Sequence, residues 1–158
     1  MRKSIIAILM TFCLSIMTYA QTPRDRATEL KEQAQSSLNQ KDYIKARYLF
    51  KKAYEAFATR ENYPQAIECG VQANALYVRE NFYKEGFELC RDMDQLIWAG
   101  EQNQKKVFYD LRFLVNKERL QMYTALKNPA QAKTQLNKLE ETGITLCVLV
   151  KCIVIVGF

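Results

Sequence analysis

Histidine is absent from the 158 residues, and glycine, proline and tryptophan are scarce, with five, three and one copies. Without histidine the chain lacks the side chain that most often transfers protons near neutral pH, and it lacks the commonest metal ligand. The five glycines stand singly, so there is no glycine-rich phosphate loop. Beyond residue 20 serine occurs at Ser36 and Ser37, inside a predicted helix with no candidate base beside them. We expect no catalytic site, no metal site and no cofactor.

Positive charge is present but not concentrated. The formal net charge is +6 at pH 7, Arg2 and Lys3 contribute two of these charges, and the other basic residues are interleaved with acidic ones. Nucleic-acid binding requires a basic patch or stripe, so we expect no nucleic-acid partner for this segment. Carboxylate pairs such as Glu140-Glu141 are interpreted as solvated helix faces.

Residues 1–20 have the three parts of a secretory signal peptide. The cationic Arg2-Lys3 precedes an apolar run over residues 4–18, and the small residues Thr18 and Ala20 occupy the −3 and −1 positions of a cleavage site. This run is shorter than the ~20 residues of a membrane-spanning helix. We therefore predict cleavage after Ala20 and export, to the periplasm, with an uncleaved membrane anchor as the alternative.

Two cysteines of the predicted mature chain have two interpretations. Cys69 and Cys90 flank a predicted turn at about equal distance, so they lie level in an antiparallel helical hairpin. In an oxidising compartment they could form a disulfide, and alternatively both are small buried packing residues, which we favour. Cys147 and Cys152 have no histidine to complete a zinc site.

Apolar residues recur at helical spacing along the polar part of the chain. Tyr43, Ala46, Phe50, Ala53 and Phe57 are separated by alternating steps of three and four, which draws one apolar stripe on a helix. Capping and breaking residues divide this region into six predicted helices. The first starts at Thr22-Pro23-Arg24-Asp25, a cap, a first-turn proline and an acid facing the helix dipole; the other starting signals are Asp42, Asn62, Asn81 and Asn128, and the stops are Gly100 and Thr142-Gly143. The predicted helices span about 22–40, 42–60, 62–80, 81–100, 102–127 and 128–142.

The stretch NQKDYIKARYLFKKAYEA resembles a tetratricopeptide repeat. That family places a small residue late in its first helix, then a tight turn, and then alanine, an aromatic residue and alanine at steps of four and three. The matching residues are Ala34, Lys41-Asp42-Tyr43, Ala46, Phe50 and Ala53, with Lys41 where glycine is usual.

Two further stretches, NFYKEGFELCRDM and KNPAQAKTQLNKL, resemble the same repeat at wider spacing. Their packing positions are held by Tyr77, Tyr83, Gly86, Tyr123, Ala132 and Leu136. The resemblance covers about residues 27–141 and implies an all-α domain over residues 21–142, built as antiparallel helical hairpins stacked in a solenoid. A compact six-helix bundle is the alternative, whereas a coiled coil is excluded because Pro64, Gly100 and Pro129 interrupt the heptads.

The resemblance also implies a function, because helical-repeat stacks bind partners in an inner groove lined by the first helix of each pair. The candidate groove residues are Lys31, Gln35, Asn39, Arg79, Lys117 and Gln121. Three of them are cationic, so we expect a protein or peptide partner with acidic groups. The sequence thus indicates an exported protein-interaction scaffold without catalytic activity.

The last residues, 143–158, differ in composition from the rest. They contain no acidic residue, no glutamine, no asparagine and one charge, Lys151. One interpretation is a strand or irregular lid over the last helix pair; a membrane anchor is disfavoured because the run is short and interrupted by Lys151. We favour a shifted reading frame or truncation. The chain would then resemble the exported sensor region of bacterial membrane regulators, which continue into a histidine kinase or a DNA-binding output.

Overall fold

The described part of the chain folds into six α-helices. The computed structural model describes the backbone of residues 25–156 and the side chains of residues 25–143. The helices are α1 (Arg26–Asn39), α2 (Tyr43–Ala58), α3 (Tyr63–Arg79), α4 (Tyr83–Gln104), α5 (Tyr109–Ala125) and α6 (Pro129–Val156). Residues 25–156 contain no strand, which confirms the predicted all-α class. The predicted signal peptide, residues 1–20, lies outside the described residues.

Neighbours in sequence are neighbours in space. Each helix packs on the next one along the chain, and α3 also packs on α5. Short turns join the helices, so consecutive helices run antiparallel and form the pairs α1/α2, α3/α4 and α5/α6. This is a helical-repeat arrangement, in which each helix buries its apolar face on the helices next to it.

Side-chain caps begin four helices, three of them at the predicted residues Asp42, Asn62 and Asn128. At α1 the cap is Asp25, which the sequence placed as an acid within the first turn. Asp25, Asp42, Asn62 and Asn128 each accept a hydrogen bond from a backbone N–H two or three residues further on, at 3.1–3.4 Å. These bonds satisfy donors that have no partner within the first turn of a helix. Local residue chemistry therefore decides where these helices start.

All five turns between helices share one backbone geometry. Each contains a non-glycine residue with a positive φ of 49–63°. The N–H of the next residue donates to the carbonyl five residues earlier, at 2.9–3.3 Å, which is the closing bond of a Schellman motif. The left-handed residues are Lys41, Glu61, Asn81, Lys105 and Lys127. Asn81 was predicted to cap α4, and this is wrong, because it closes the turn and Phe82 is the N-cap residue.

Gly100 lies inside α4, where the sequence predicted the end of the helix. A Cβ on Gly100 would lie 2.8 Å from Phe108 Cε2 and 2.9 Å from Tyr63 Cδ1. The glycine therefore makes room for two buried rings rather than ending the helix. As a result α4 continues to Gln104, and α5 begins at Tyr109 instead of near residue 102.

The predicted packing residues are buried or partly buried, with one exception. Ala34, Ala46, Phe50, Ala53 and Gly86 are buried. The partly buried members are Tyr43, Tyr77, Tyr83, Tyr123 and Ala132. The small members, Ala34, Ala46, Ala53 and Gly86, let neighbouring helices approach closely. The stretch that best matches the repeat therefore contributes to the core.

Leu136 is the exception, since it is 46% exposed. Gln135 and Leu139 turn inward on α6 instead. One residue along a helix rotates a side chain by about 100° around the axis, so a small error in the predicted phase moves a residue from the core to the surface. The assignment of Leu136 as a packing residue is therefore wrong.

The last helix passes through its predicted stop. α6 continues beyond Thr142-Gly143 to Val156, so the interpretation of these residues as a strand or an irregular lid is wrong for the described backbone. A short apolar run fits a helix and a strand equally well by periodicity. Within residues 25–156, no helix is long and apolar enough to cross a membrane.

Candidate functional site

Side-chain contacts connect the first helices of the three pairs. Lys31 Nζ on α1 donates to Gln65 Oε1 at 2.8 Å and to Glu68 Oε2 at 2.7 Å, both on α3. Asn74 Nδ2 on α3 donates to Glu118 Oε2 on α5 at 3.1 Å. Helices α1, α3 and α5 are therefore neighbours along one side of the stack, as a helical-repeat arrangement requires.

Two of the three predicted groove cations are already engaged within the chain. Lys31 forms an ion pair with Glu68. The guanidinium carbon of Arg79 lies 3.8 Å from the centroid of the Tyr43 ring, which is a cation–π contact. A ligand carboxylate that approached either cation would compete with these contacts.

The other predicted groove residues divide between α1 and α5. Gln35 Nε2 donates to Asn39 Oδ1 at 3.1 Å on α1. Lys117 and Gln121 are exposed on α5. Among the described residues, no hydrogen bond or ion pair joins the candidates on α1 to those on α3 or α5. The six candidate groove residues thus lie on three neighbouring helices, α1, α3 and α5.

A cleft of about 600 Å³ that the sequence did not predict opens between α4, α5 and α6. We call it the Trp98 cleft, because Trp98 is the single tryptophan of the sequence and is 61% exposed. The cleft is lined by Asp94, Ile97, Trp98, Val107, Tyr109, Arg112, Asn116, Arg119, Lys138, Glu141 and Thr142. The single tryptophan, a residue type enriched at binding hot spots, is the one sequence signal that could have indicated this site.

Arg112 is held in the cleft by a buried carboxylate. Its Nε donates to Glu101 Oε1 at 2.7 Å, and its Nη2 donates to Glu101 Oε2. Glu101 also accepts the backbone N–H of Phe108 at 2.9 Å, which attaches the turn before α5 to the end of α4. The hydrogen bond from Arg112 lowers the pKa of the Glu101 carboxyl, so this residue is ionised at neutral pH. A bidentate pair of this kind orients the guanidinium plane.

Arg119 is also held by protein acceptors, two helical turns further along the same face of α5. Its Nη2 donates to the Cys90 carbonyl at 3.0 Å and also to Asp94. Asn116 lies between the two arginines at helical spacing, so the three side chains follow one face of α5. Lys138 has no ion pair among the described residues. The cleft therefore combines oriented guanidinium groups, an amide and the Lys138 ammonium with the carboxylates of Asp94 and Glu141 and an exposed indole.

The groups that line the cleft can bind a ligand through both charge and apolar contact. Guanidinium and ammonium groups bind carboxylates, and an exposed indole packs on apolar or aromatic side chains. Over residues 25–143, no group of three or more acidic or cysteine side chains is placed to hold a metal ion.

Cys69 and Cys90 are both buried and unbonded, which supports the packing interpretation over the disulfide. Burial raises the pKa of the Cys69 thiol to about 11 and that of the Cys90 thiol to about 12. Both thiols therefore stay protonated at neutral pH, and neither is a reactive nucleophile.

A buried polar pair between α3 and α5 was also not predicted. Glu118 and Asn74 are both buried, and Asn74 Oδ1 has no hydrogen-bond partner. Burial raises the pKa of the Glu118 carboxyl above its ordinary value of 4.5, and the bond from Asn74 opposes this only in part. The folded chain therefore binds a proton at Glu118 more tightly than the unfolded chain does.

Replacing Glu118 with glutamine is expected to stabilise the fold at neutral pH by about 1 kcal/mol. The change removes a buried charge and supplies an N–H that can donate to Asn74 Oδ1. Because the folded-state pKa is raised, the advantage should appear as pH rises above 4.5 and should vanish below it. Urea unfolding of both chains at acidic and neutral pH measures this. Equal stability at neutral pH would contradict the expectation.

The chain was also compared with known proteins. No protein-family model, no curated protein and no solved structure matches it. The helical-repeat arrangement and the geometry of the Trp98 cleft are therefore the features that bear on its function.

Proposed function

We propose that this chain is an exported scaffold of the tetratricopeptide type that binds a protein or peptide partner with acidic groups and carries out no catalysis. The Trp98 cleft is the observation that carries the proposal. Its exposed indole and oriented cations form a concave surface between the second and third helix pairs. Open clefts with a few fixed polar groups are the usual ligand sites of proteins.

The repeat type is supported by how the first predicted repeat packs. Ala34, Ala46 and Ala53 are fully buried, and they hold the positions where the tetratricopeptide family places small residues. The turn between α1 and α2 has Lys41 in the left-handed conformation, at the position where that family has glycine. These features favour stacked hairpins over a bundle with no repeat.

The expected ligand chemistry follows from the cations that line the cleft. Arg112 and Arg119 each use only some of their N–H groups on protein acceptors, and Lys138 uses none on a described acid. A carboxylate bound beside them can accept the remaining N–H groups without paying to orient the guanidinium planes. An apolar neighbour of that carboxylate would pack on Trp98.

Binding can be tested with the tryptophan itself, since Trp98 is the only one in the chain. Peptides selected from a random library against the intact exported chain are titrated while tryptophan emission is recorded. We expect acidic peptides with an apolar residue to shift the emission to shorter wavelength, because they cover the indole. Because Trp98→Ala removes the emitting residue, titration calorimetry measures the affinity of this variant and of the parent chain, and the change should weaken peptide binding about tenfold or more.

Tyr48→Ala is the matched control, because Tyr48 is also a highly exposed aromatic residue but lies on α2, away from the cleft. It should leave the affinity of these peptides unchanged. Failure of the library to yield any binder, or equal loss in both variants, would overturn the proposed function.

A further inference from the structure

The outer face of α2 exposes two large apolar side chains one helical turn apart. Ile44 is 69% exposed and Tyr48 is 60% exposed. They border a depression of about 410 Å³ that reaches Tyr77 on α3, and Lys51 and Tyr77 also line a narrower slot toward α4. Single exposed apolar residues are ordinary on protein surfaces, but a pair at helical spacing beside a groove marks a contact surface. We call this surface the α2–α4 groove.

The α2 wall of this groove carries cations that are mostly compensated. Arg47 forms an ion pair with Glu80 and stacks on the ring of Tyr77, with its guanidinium carbon 4.8 Å from the centroid. Lys52 forms an ion pair with Glu55 at 2.7 Å. Lys51 lines both the depression and the slot and has no ion pair among the described residues, so it is the cation of this wall that can still contact a partner.

The α4 wall is acidic, and its three carboxylates outnumber Lys51, the cation that lines the same slot. Glu85, Glu88 and Asp92 recur at helical spacing along one face of α4 and line the slot. None of the three has an ion pair among the described residues. The groove thus combines apolar side chains on its α2 side with a row of free carboxylates on its α4 side.

From this arrangement we propose that the α2–α4 groove docks an amphipathic helix of a second partner protein. The apolar stripe of that helix packs on Ile44, Tyr48 and Tyr77, and a lysine- or arginine-rich flank lies along Glu85, Glu88 and Asp92. A helix fits because its side chains at i and i+4 form a stripe that matches the pair on α2. The apolar contacts supply most of the affinity, and the charges decide which flank faces α4.

This site differs from the Trp98 cleft in its position and in the charge it selects. The cleft favours an acidic peptide, and the groove favours a basic helix. The chain would then join two partners of opposite charge, which goes beyond the proposed function.

Two designed helical peptides test the proposal. They share one leucine stripe at positions i, i+4 and i+7, and one flank carries lysine in the first peptide and glutamate in the second. Fluorescence anisotropy of each labelled peptide with the intact chain should show tighter binding of the lysine peptide, by about tenfold. Tyr48→Ala should weaken that binding by about tenfold, whereas Trp98→Ala should leave it unchanged.

Reversing the charge of the three acidic side chains on the α4 wall gives the most selective test. The triple variant Glu85→Lys, Glu88→Lys, Asp92→Lys replaces exposed side chains, so the fold should persist, and circular dichroism checks this. If that variant unfolds, the single change Glu88→Lys takes its place. The preference of the groove for the lysine peptide should invert or be lost, so that the glutamate peptide binds at least as well as the lysine peptide.

Four results would overturn the proposal. They are binding of neither peptide, an unchanged preference after wall reversal, no effect of Tyr48→Ala, or a concentration-dependent dimer that Tyr48→Ala abolishes, which would make a second copy of the chain the occupant. Acidic peptides that still bind in the Trp98 cleft in any of these cases would leave the proposed function standing.

Discussion

Replacing Tyr63 with alanine is expected to lower the free energy of unfolding by about 3–5 kcal/mol. Tyr63 is almost fully buried at the start of α3. Its ring lies 5.8 Å, centroid to centroid, from that of Phe108, and the space beside both rings exists because Gly100 has no Cβ. Truncation would therefore leave a cavity where α3, the end of α4 and the turn before α5 meet.

Tyr63→Phe is the matched control for that change. It keeps the ring and removes only the hydroxyl, which accepts a hydrogen bond from Asn103 Nδ2 at 3.2 Å. The expected loss is about 1 kcal/mol, the usual contribution of one such bond. Urea unfolding followed by circular dichroism measures both variants. A loss for Tyr63→Ala as small as that for Tyr63→Phe would show that the ring is not a structural centre.

Replacing Glu101 with alanine is expected to cost about 2–3 kcal/mol at neutral pH. The change removes the acceptor of the Phe108 backbone N–H and the partner of Arg112. The cost stays moderate because the side chain of Arg112 is 44% exposed, so water replaces part of its lost interaction. Glu101→Gln should cost less, because an amide oxygen can still accept one of the bonds.

The pH dependence of this effect has a definite sign. Hydrogen bonding to Arg112 lowers the folded-state pKa of Glu101 below its ordinary value of 4.5. The stabilisation is therefore fully present above pH 4.5 and is lost as pH falls through the folded-state pKa. The difference in unfolding free energy between the parent chain and Glu101→Ala should shrink in that acidic range. A difference that stays constant down to the acid unfolding of the protein would contradict the assigned ion pair.

Glu101→Ala should also affect ligand binding, because the same carboxylate orients Arg112 in the Trp98 cleft. A guanidinium that is free to rotate loses entropy when it binds a carboxylate. Acidic peptides that bind the cleft should therefore bind the variant more weakly even at temperatures where it is fully folded.

The amino-acid sequence by itself determined the features that depend on residues close together in the chain. Asp42 and Asn62 cap their helices within the next three residues, and the alternation of steps around Ala46 and Ala53 places one stripe in the core. Capping and helical periodicity act over one or two turns, so they can be read without knowledge of the fold. The all-α class and the succession of paired helices follow from these local signals.

The tertiary structure alone decided the features that depend on how one helix is turned against another. The local sequence predicts that a helix ends at Gly100. The residue lies inside α4 instead, where its missing Cβ leaves room for the rings of Tyr63 and Phe108. Leu136 reads as a core residue, yet the rotation of α6 on α5 buries Gln135 instead.

The two proposed binding surfaces also depend on the tertiary structure. Trp98 and Lys138 are far apart in sequence, and the packing of α4, α5 and α6 brings them to one cleft. Likewise, α2 and α4 line the two sides of one groove because α3, which carries Tyr77, packs between them in the stack. The relative rotation of helices results from the sum of many weak contacts between distant residues, and no short stretch of sequence contains that sum.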